Sequence, residues 1–341
     1  MPRHHIGVPS MERSLTLPPS VLRSHKAIHE ALVLKNAADI TTIVLRNPPG
    51  NEDEAAWRSA ETSLLLDREQ LLYFVTCAKS MCPDLSIVSV CFTAQLTGGF
   101  GFYTFGEDDH NNAPPAFPDD VIVQVSDADC SMMSGFQARA FLENEALDLG
   151  IAELTLSFEH PRLALQALSL NLRTLRFVEN APFKPTCDEH FAVPWSEQAF
   201  AALSTSTLTH VRLCSFACSM LLSAFSSADP LVDSLPRSLE ILALDGFHID
   251  DNFMMALSRL SNLWALELTR CKFNPNCFKA KPLMMSLSIL TLSSHDNGPL
   301  LGAADWIMSQ PDAAQLNVSP FGLTQEEMQA LRDDGIIVNL F

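Results

Sequence analysis

Three side chains with metal-binding atoms follow one another at intervals of four residues: His210, Cys214 and Cys218. On a helix, this spacing would bring an imidazole and two thiolates to one face, and such a set can hold zinc. The surrounding residues instead predict a strand and the turn after it, where this spacing does not place the three side chains on one face. We therefore interpret Cys218 as a core residue of the turn and expect no metal or other cofactor.

Other short motifs lack a part that their chemistry requires. Cys82 and Cys187 could be thiol nucleophiles, but neither has the glycine-framed turn or the paired histidine of such sites. The segment GGFGF at 98–102 lacks the lysine of a phosphate-binding loop, and GEDDHNN at 106–112 departs from the register of a calcium-binding loop. The stretch after the last repeat is also too short for a catalytic domain, so we expect no enzyme.

The most regular feature of the chain is a recurring LxxLxL pattern. Leu239, Leu242 and Leu244 are followed at an interval of 24 residues by a second copy that starts at Leu263. A third copy at the same interval starts at Leu287, and less regular copies start at Ile40, Leu85, Ile151, Leu172, Leu208 and Ala313, with half a copy at Val123 and Val125. Such units predict short strands whose L positions point inward, and one unit is too small to bury its apolar face alone. Stacked units are therefore expected to share one core.

Helical signals occupy the segments between these strands. Asp250 or Asp251 can cap a helix whose apolar residues start at Phe253, and Thr324 with Glu327 matches a capping box. The segments SEQAFAALS, ADWIMSQ and PSVLRSHKAIHEALVL also predict short helices. Strands that alternate with helices indicate an α/β fold with parallel strands.

With these repeats, residues from about 36 to 341 resemble the leucine-rich-repeat family, above all in SLEILALDGFHIDD and NLWALELTRCKF. The irregular repeats are similar to the ribonuclease-inhibitor-like and F-box-associated members, and Cys271 resembles the cysteine of the latter. The resemblance implies a horseshoe-shaped solenoid, with a parallel β-sheet on the concave face and helices on the convex face. It also implies that the concave face binds another protein.

The predicted domain organisation is a flexible N-terminal tail at 1–19 and a leucine-rich-repeat domain at 20–341. Insertions interrupt the repeats at about 48–83 and 97–120. The first insertion is mostly helical in pattern, with Leu65, Leu72 and Val75 as candidate inner residues. The second is rich in Gly, Pro, Asn and Asp and contains several aromatic residues. It is either a functional loop or a tolerated surface insertion.

Composition and charge exclude several classes of partner. The formal net charge is −18, so the chain lacks the basic surface that nucleic acids and anionic lipids require. No stretch is apolar enough to span a membrane, and the N-terminus has no apolar signal-peptide region. Nine cysteines without a CxxC motif favour a reducing compartment, so we expect the protein in the cytoplasm or the nucleus. We also expect a monomer.

The outward positions of the predicted strands hold the candidate binding residues. Arginine and tryptophan are the side chains that most often dominate protein interfaces. The candidate set is Arg173, Arg176, His210, Arg212, Trp264, Glu267 and Arg270.

Two functional hypotheses follow. The first is a non-enzymatic scaffold that binds a partner protein on the concave face. The alternative, implied by the resemblance to F-box members, is a substrate-recognition adaptor of an SCF-type ubiquitin ligase that binds a Skp1-type linker protein. The adaptor requires an F-box, and LTLPPSVLRSHKAIHEALVL has only its Leu-Pro beginning before the first repeat strand starts at Ile40.

Overall fold

The computed structural model describes residues 13–33, 39–46, 64–96, 116–157, 160–178, 197–214, 230–279, 282–296 and 298–341. These residues form two compact α/β units. The first contains the chain up to Asp129 together with Glu143–Ile151, and the second contains Cys130–Leu142 and Ala152–Phe341. Within each unit the paired strands are parallel, as the alternation of strands and helices predicts. No helix among the described residues is long and apolar enough to cross a membrane.

Strands of the first unit pair in the order β1-β2-β4-β5, and β3 pairs with the end of β4. The strands are β1 (Ser14–Leu17), β2 (Thr42–Arg46), β3 (Leu64–Leu66), β4 (Ile87–Leu96) and β5 (Ile122–Asp129). The helices are α1 (His25–Val33) and α2 (Arg68–Met81), and a 3-10 turn spans Pro19–Arg23. Alternate residues of β1, β2 and β4 are buried, so each of these strands gives one face to the core.

Two predictions for the first unit are wrong. The sheet starts within the predicted flexible tail, because Leu15 and Leu17 are buried and β1 pairs with β2. Leu65 is 61% exposed rather than inner, because the strand alternation buries its neighbour Leu66 instead. The Leu-Pro segment considered for an F-box thus begins with a strand of the sheet. The hypothesis that the protein is a ubiquitin-ligase adaptor stays a prediction.

Strands of the second unit pair in the order β6-β7-β8-β9-β11-β12-β13-β14, and the short β10 pairs with β11. The strands are β6 (Glu153–Ser157), β7 (Thr174–Val178), β8 (His210–Cys214), β9 (Ile241–Asp245), β10 (His248–Ile249), β11 (Ala265–Phe273), β12 (Ile289–Ser294), β13 (Gln315–Val318) and β14 (Ile337–Leu340). The helices are α4 (Ala164–Ser169), α5 (Glu197–Thr205), α6 (Pro230–Asp233), α7 (Asp251–Leu257), α8 (Ala303–Met308) and α9 (Gln325–Asp333). Helix α3 (Gly135–Asn144) contributes residues to both units.

The predicted strand register of the second unit is confirmed by its central leucines. Leu242 pairs with Leu266, which pairs with Leu290, and all three are buried. The buried leucine at this position of β9, β11 and β12 fixes their register, since a shift by one residue would expose the whole set. The positions between these leucines therefore lie on the opposite face of the sheet, which we call the outer face.

The predicted helix caps are also present. The Asp250 carboxylate accepts a hydrogen bond from the Phe253 amide at 2.8 Å, at the beginning of α7. The Thr324 hydroxyl and the Glu327 carboxylate bond each other's backbone amides at the beginning of α9. These caps place the helices directly after the strand turns, so consecutive strands can pair in parallel.

Candidate binding face of the second unit

One side chain from each of eight paired strands forms a row across the outer face. This central row is Thr155, Arg176, Arg212, Ala243, Glu267, Thr291, Asn317 and Asn339. The LxxLxL copies predict this register, because each member from Thr155 to Asn317 stands between the second and third L positions of its copy. The row is basic on β7 and β8, small on β9, acidic on β11 and uncharged from β12 onward.

At the basic end, Arg173 and Arg176 both donate hydrogen bonds to Glu153 of β6. The Arg176–Glu153 bond is 2.8 Å long, and the Glu153 side chain is 17% exposed. Burial alone would raise the pKa of Glu153, but the hydrogen bonds and charges of the two guanidinium groups outweigh burial and lower it. Both arginines are thus partly neutralised, and the sequence analysis did not single out Glu153.

His210 lies between Thr174 and Ile241 in the row next to the central row. Its Nδ1 atom lies 2.7 Å from the Thr209 hydroxyl. Burial lowers the pKa of His210, and the carboxylates of Glu153 and Glu240 only partly offset that effect. His210 therefore contributes a mostly uncharged ring to this face at neutral pH.

Arg212 and Glu267 are the two charges of the central row that are available to a partner. Arg212 is exposed, Glu267 is half-buried, and neither has a hydrogen-bond or ion-pair partner among the described residues. Ala243 lies between them in the row and is only 6% exposed. The small apolar side chain of Ala243 therefore lies between a cation and an anion that have no partner in the part of the chain that the structure describes.

An apolar row runs beside these charges. Ala265 pairs with Ile241 on one side and with Ile289 on the other, and all three lie on the outer face. Ala265 is only 6% exposed, so the side chain at the centre of this second row also projects little from the sheet. Trp264 immediately precedes β11 and is 37% exposed. A partner can therefore bury apolar surface next to the Arg212 and Glu267 charges.

Arg270 lies farther along β11, at an irregularity in the pairing between β11 and β12. Its backbone has a positive φ of 49°, which is unfavourable for a residue with a Cβ atom. The guanidinium Nε donates to the Asp245 carboxylate at 2.7 Å, and a second bond joins the same two groups. Cys214 donates to the same carboxylate at 3.6 Å. Arg270 is therefore held by Asp245 and is less available to a partner than Arg212.

The uncharged end of the row is a ladder of side-chain hydrogen bonds. Asn339 donates to Asn317 at 3.0 Å, and Asn317 donates to Thr291 at 3.1 Å. Gln315 donates to the same Asn317 oxygen at 3.1 Å. These bonds use part of the hydrogen-bonding capacity of the amide groups within the protein, and this end of the row carries no charge.

His210 and Cys214, two members of the zinc pattern considered from the sequence, lie at opposite ends of β8. Contrary to expectation they share a face, but four residues of strand separate them by about 13 Å, too far for one ion. Among the described residues, no group of three or more His, Cys, Asp or Glu side chains is arranged to hold a metal. Cys218, Cys187 and the segments 98–102 and 106–112 lie outside the described residues.

Cys82, considered as a nucleophile, is the buried C-cap residue of α2. Burial raises the pKa of its thiol, which disfavours the reactive thiolate. Cys271 is also buried, and burial raises the pKa of its thiol to about 12. Its sulfur donates to the backbone oxygens of Leu244 and Thr269, so Cys271 joins β11 to β9 at the bulge.

No protein-family model matches the chain, and a search of the curated proteins finds no significant match. The fold and the site together define an α/β protein with parallel strands, whose second unit presents a bipolar row of side chains on the outer face of its sheet.

Proposed function

We propose that this chain is a leucine-rich-repeat protein and acts as a non-enzymatic scaffold that binds a partner protein. In this proposal the repeats form a horseshoe-shaped solenoid, with the outer face of the sheet on its concave side. Support comes from the buried leucines that recur at one position of successive strands and from the helices between those strands.

One observation carries the binding part of the proposal. Arg212 and Glu267 are unpaired among the described residues, and they lie on either side of the low Ala243 position. Arg173 and Arg176, by contrast, are already paired with Glu153. Charged side chains without a partner among the described residues can pair with complementary groups of a binding partner, and such complementarity directs association.

The proposal predicts that reversal of the Arg212 charge weakens partner binding. Full-length wild-type and Arg212→Glu proteins would be tagged, expressed in the native cell and compared by proximity labelling with quantitative mass spectrometry. Proteins that depend on the outer face should lose most of their labelling in the variant, because the substitution replaces an attraction by a repulsion.

Arg162→Glu is the matched control, because Arg162 is exposed in the 3-10 turn Pro161–Leu163 that precedes α4, away from the sheet. It makes the same change of charge outside the outer face. Thermal unfolding of both variants would verify that they are folded. An unchanged set of labelled proteins in Arg212→Glu would rule out the outer face around Arg212 as the binding site.

A further inference from the structure

The spacing of the charges in the central row restricts the shape of a partner. Arg212, Ala243 and Glu267 lie on the consecutive strands β8, β9 and β11. Neighbouring strands are about 4.8 Å apart, so the Arg212 and Glu267 backbone positions are separated by about 9.6 Å. A partner that pairs with both residues must present two charges at about this separation on one face.

An α-helix that lies across the strands meets this condition. Its residues i and i+7 share a face and are about 10.5 Å apart along the axis, and the residues i+3 and i+4 lie between them at about one turn. An extended chain presents side chains on one face at about 6.7 Å or 13 Å, and neither value matches. One helical turn of about 5.4 Å thus corresponds to one strand of the sheet.

We propose that the outer face binds an amphipathic α-helix of a partner protein that carries opposite charges seven residues apart. Its acidic residue lies against Arg212, its basic residue against Glu267, and small or apolar residues of the intervening turn contact Ala243. This inference rests on the proposed function, and it adds the structural class and the charge pattern of the partner.

The part of the outer face beneath such a helix is apolar and can contact the apolar residues of the helix. Ala243 and Ala265 are each only 6% exposed, so the helix backbone can approach the sheet closely at these positions. Ile241 and Ile289 flank Ala265 and offer apolar contacts beside the charged row. Burial of apolar residues of the helix here would provide affinity, and the two ion pairs would fix its position along the row.

A second copy of this chain is the less favourable occupant. Each chain has a net charge of −18, so two copies repel each other. A helix from another protein can supply one acidic and one basic residue. These residues pair with Arg212 and Glu267 and add no net repulsion. The opposite charges of Arg212 and Glu267 therefore favour a helix from another protein.

A displayed helix library tests this inference directly. A peptide of 21 residues, built on an alanine-rich helix, would be randomised at positions i, i+3, i+4 and i+7 and selected on yeast against the full-length protein. We expect enrichment of an opposite-charge pair at i and i+7, in either order because the helix can lie in both directions. Small or apolar residues should be enriched at i+3 and i+4.

Affinities of the selected peptides would then be measured on variants by fluorescence anisotropy. Arg212→Glu and Glu267→Lys should each weaken binding about fivefold, because each loses an exposed ion pair worth up to about 1 kcal/mol and adds a repulsion between like charges. Arg162→Glu should leave the affinity unchanged. A peptide of the same composition with the basic residue moved from i+7 to i+5, on the other side of the helix, should bind as weakly as the variants do.

The outcomes separate this inference from the proposed function. Failure to enrich the opposite-charge pair, or selected peptides that bind Arg212→Glu as well as wild type, would overturn the helix inference. If proximity labelling still depended on Arg212 in that case, the outer face would remain the binding site for a partner of another shape. If labelling were also independent of Arg212, both proposals would fail.

Discussion

At the scale of single residues, the charged side chains of the outer face fall into two groups, those that form ion pairs and those that do not. Glu153 is enclosed by Arg173 and Arg176, and Arg270 is held by Asp245, whereas Arg212 and Glu267 have no partner among the described residues. The first kind contributes to stability, since a partly buried carboxylate needs compensation. The second kind contributes little to folding and is free for recognition.

The Glu153 pairing predicts a pH-dependent contribution to stability. Its pKa is lower in the folded protein than the ordinary 4.5, so the ionised form favours folding, and this contribution is present above pH 4.5. Glu153→Gln should lower the free energy of unfolding by about 1 to 3 kcal/mol at pH 7. The difference between wild type and variant should shrink as the pH falls below 4.5 toward the lowered pKa.

Urea unfolding of both proteins between pH 7 and the most acidic pH at which they remain folded measures this difference. Glu326→Gln is a suitable control, because Glu326 is exposed in the first turn of α9. A gap between wild type and Glu153→Gln that stays constant on acidification would show that the paired carboxylate does not stabilise the fold in this way.

At the scale of elements, the bulge in β11 combines an unfavourable backbone conformation with a compensating ion pair. Arg270 has a φ of 49°, and its guanidinium binds Asp245 on the neighbouring β9. The amide of Arg270 donates to the Ser293 hydroxyl of β12 at 2.9 Å. The bulge is therefore fixed to the strands on both sides, and its conformation does not depend on a glycine.

Two substitutions of Arg270 separate the ion pair from the backbone conformation. Arg270→Ala loses the bonds to Asp245 and keeps the strain of a left-handed residue, whereas Arg270→Gly loses the same bonds and relieves the strain. Arg270→Gly should therefore be about 1 kcal/mol more stable than Arg270→Ala. Urea unfolding at pH 7 checks the order, and the reverse order would contradict a left-handed residue at this position.

At the scale of the whole molecule, the dominant property is the excess of acidic groups. The chain has 40 acidic and 22 basic residues, a formal charge of −18. Such a balance opposes the compact state by self-repulsion, and salt screens this repulsion over about 10 Å at 0.1 M.

Moderate salt is therefore expected to stabilise the protein. The urea midpoint should rise when sodium chloride is increased from about 20 mM to about 200 mM, since at 0.2 M the screening length is below about 10 Å. Ion pairs such as Arg259–Asp233 weaken under the same conditions, but exposed pairs contribute little. A midpoint that falls with salt would mean that local ion pairs outweigh the net repulsion.

Much of the fold could be predicted from the sequence, because the decisive signals are local. The LxxLxL spacing fixes which residues of a strand are buried, so the register across Leu242, Leu266 and Leu290 followed without coordinates. The capping box of Thr324 and Glu327 was visible for the same reason, since its bonds join residues three apart. The strand β1 was missed because SLTL is too short to distinguish a strand from a tail.

In the second unit, the sequence by itself determined which residues of the regular LxxLxL strands face the core and which residues form the central row. Only the tertiary structure decided which charges of that row are open, because ion pairs form between residues distant in sequence. Glu153 reaches Arg176 over 23 residues and Asp245 reaches Arg270 over 25, whereas Arg212 and Glu267 have no such partner among the described residues. Local periodicity places a side chain on a face, but the side chains of the neighbouring strands determine whether its charge is already satisfied.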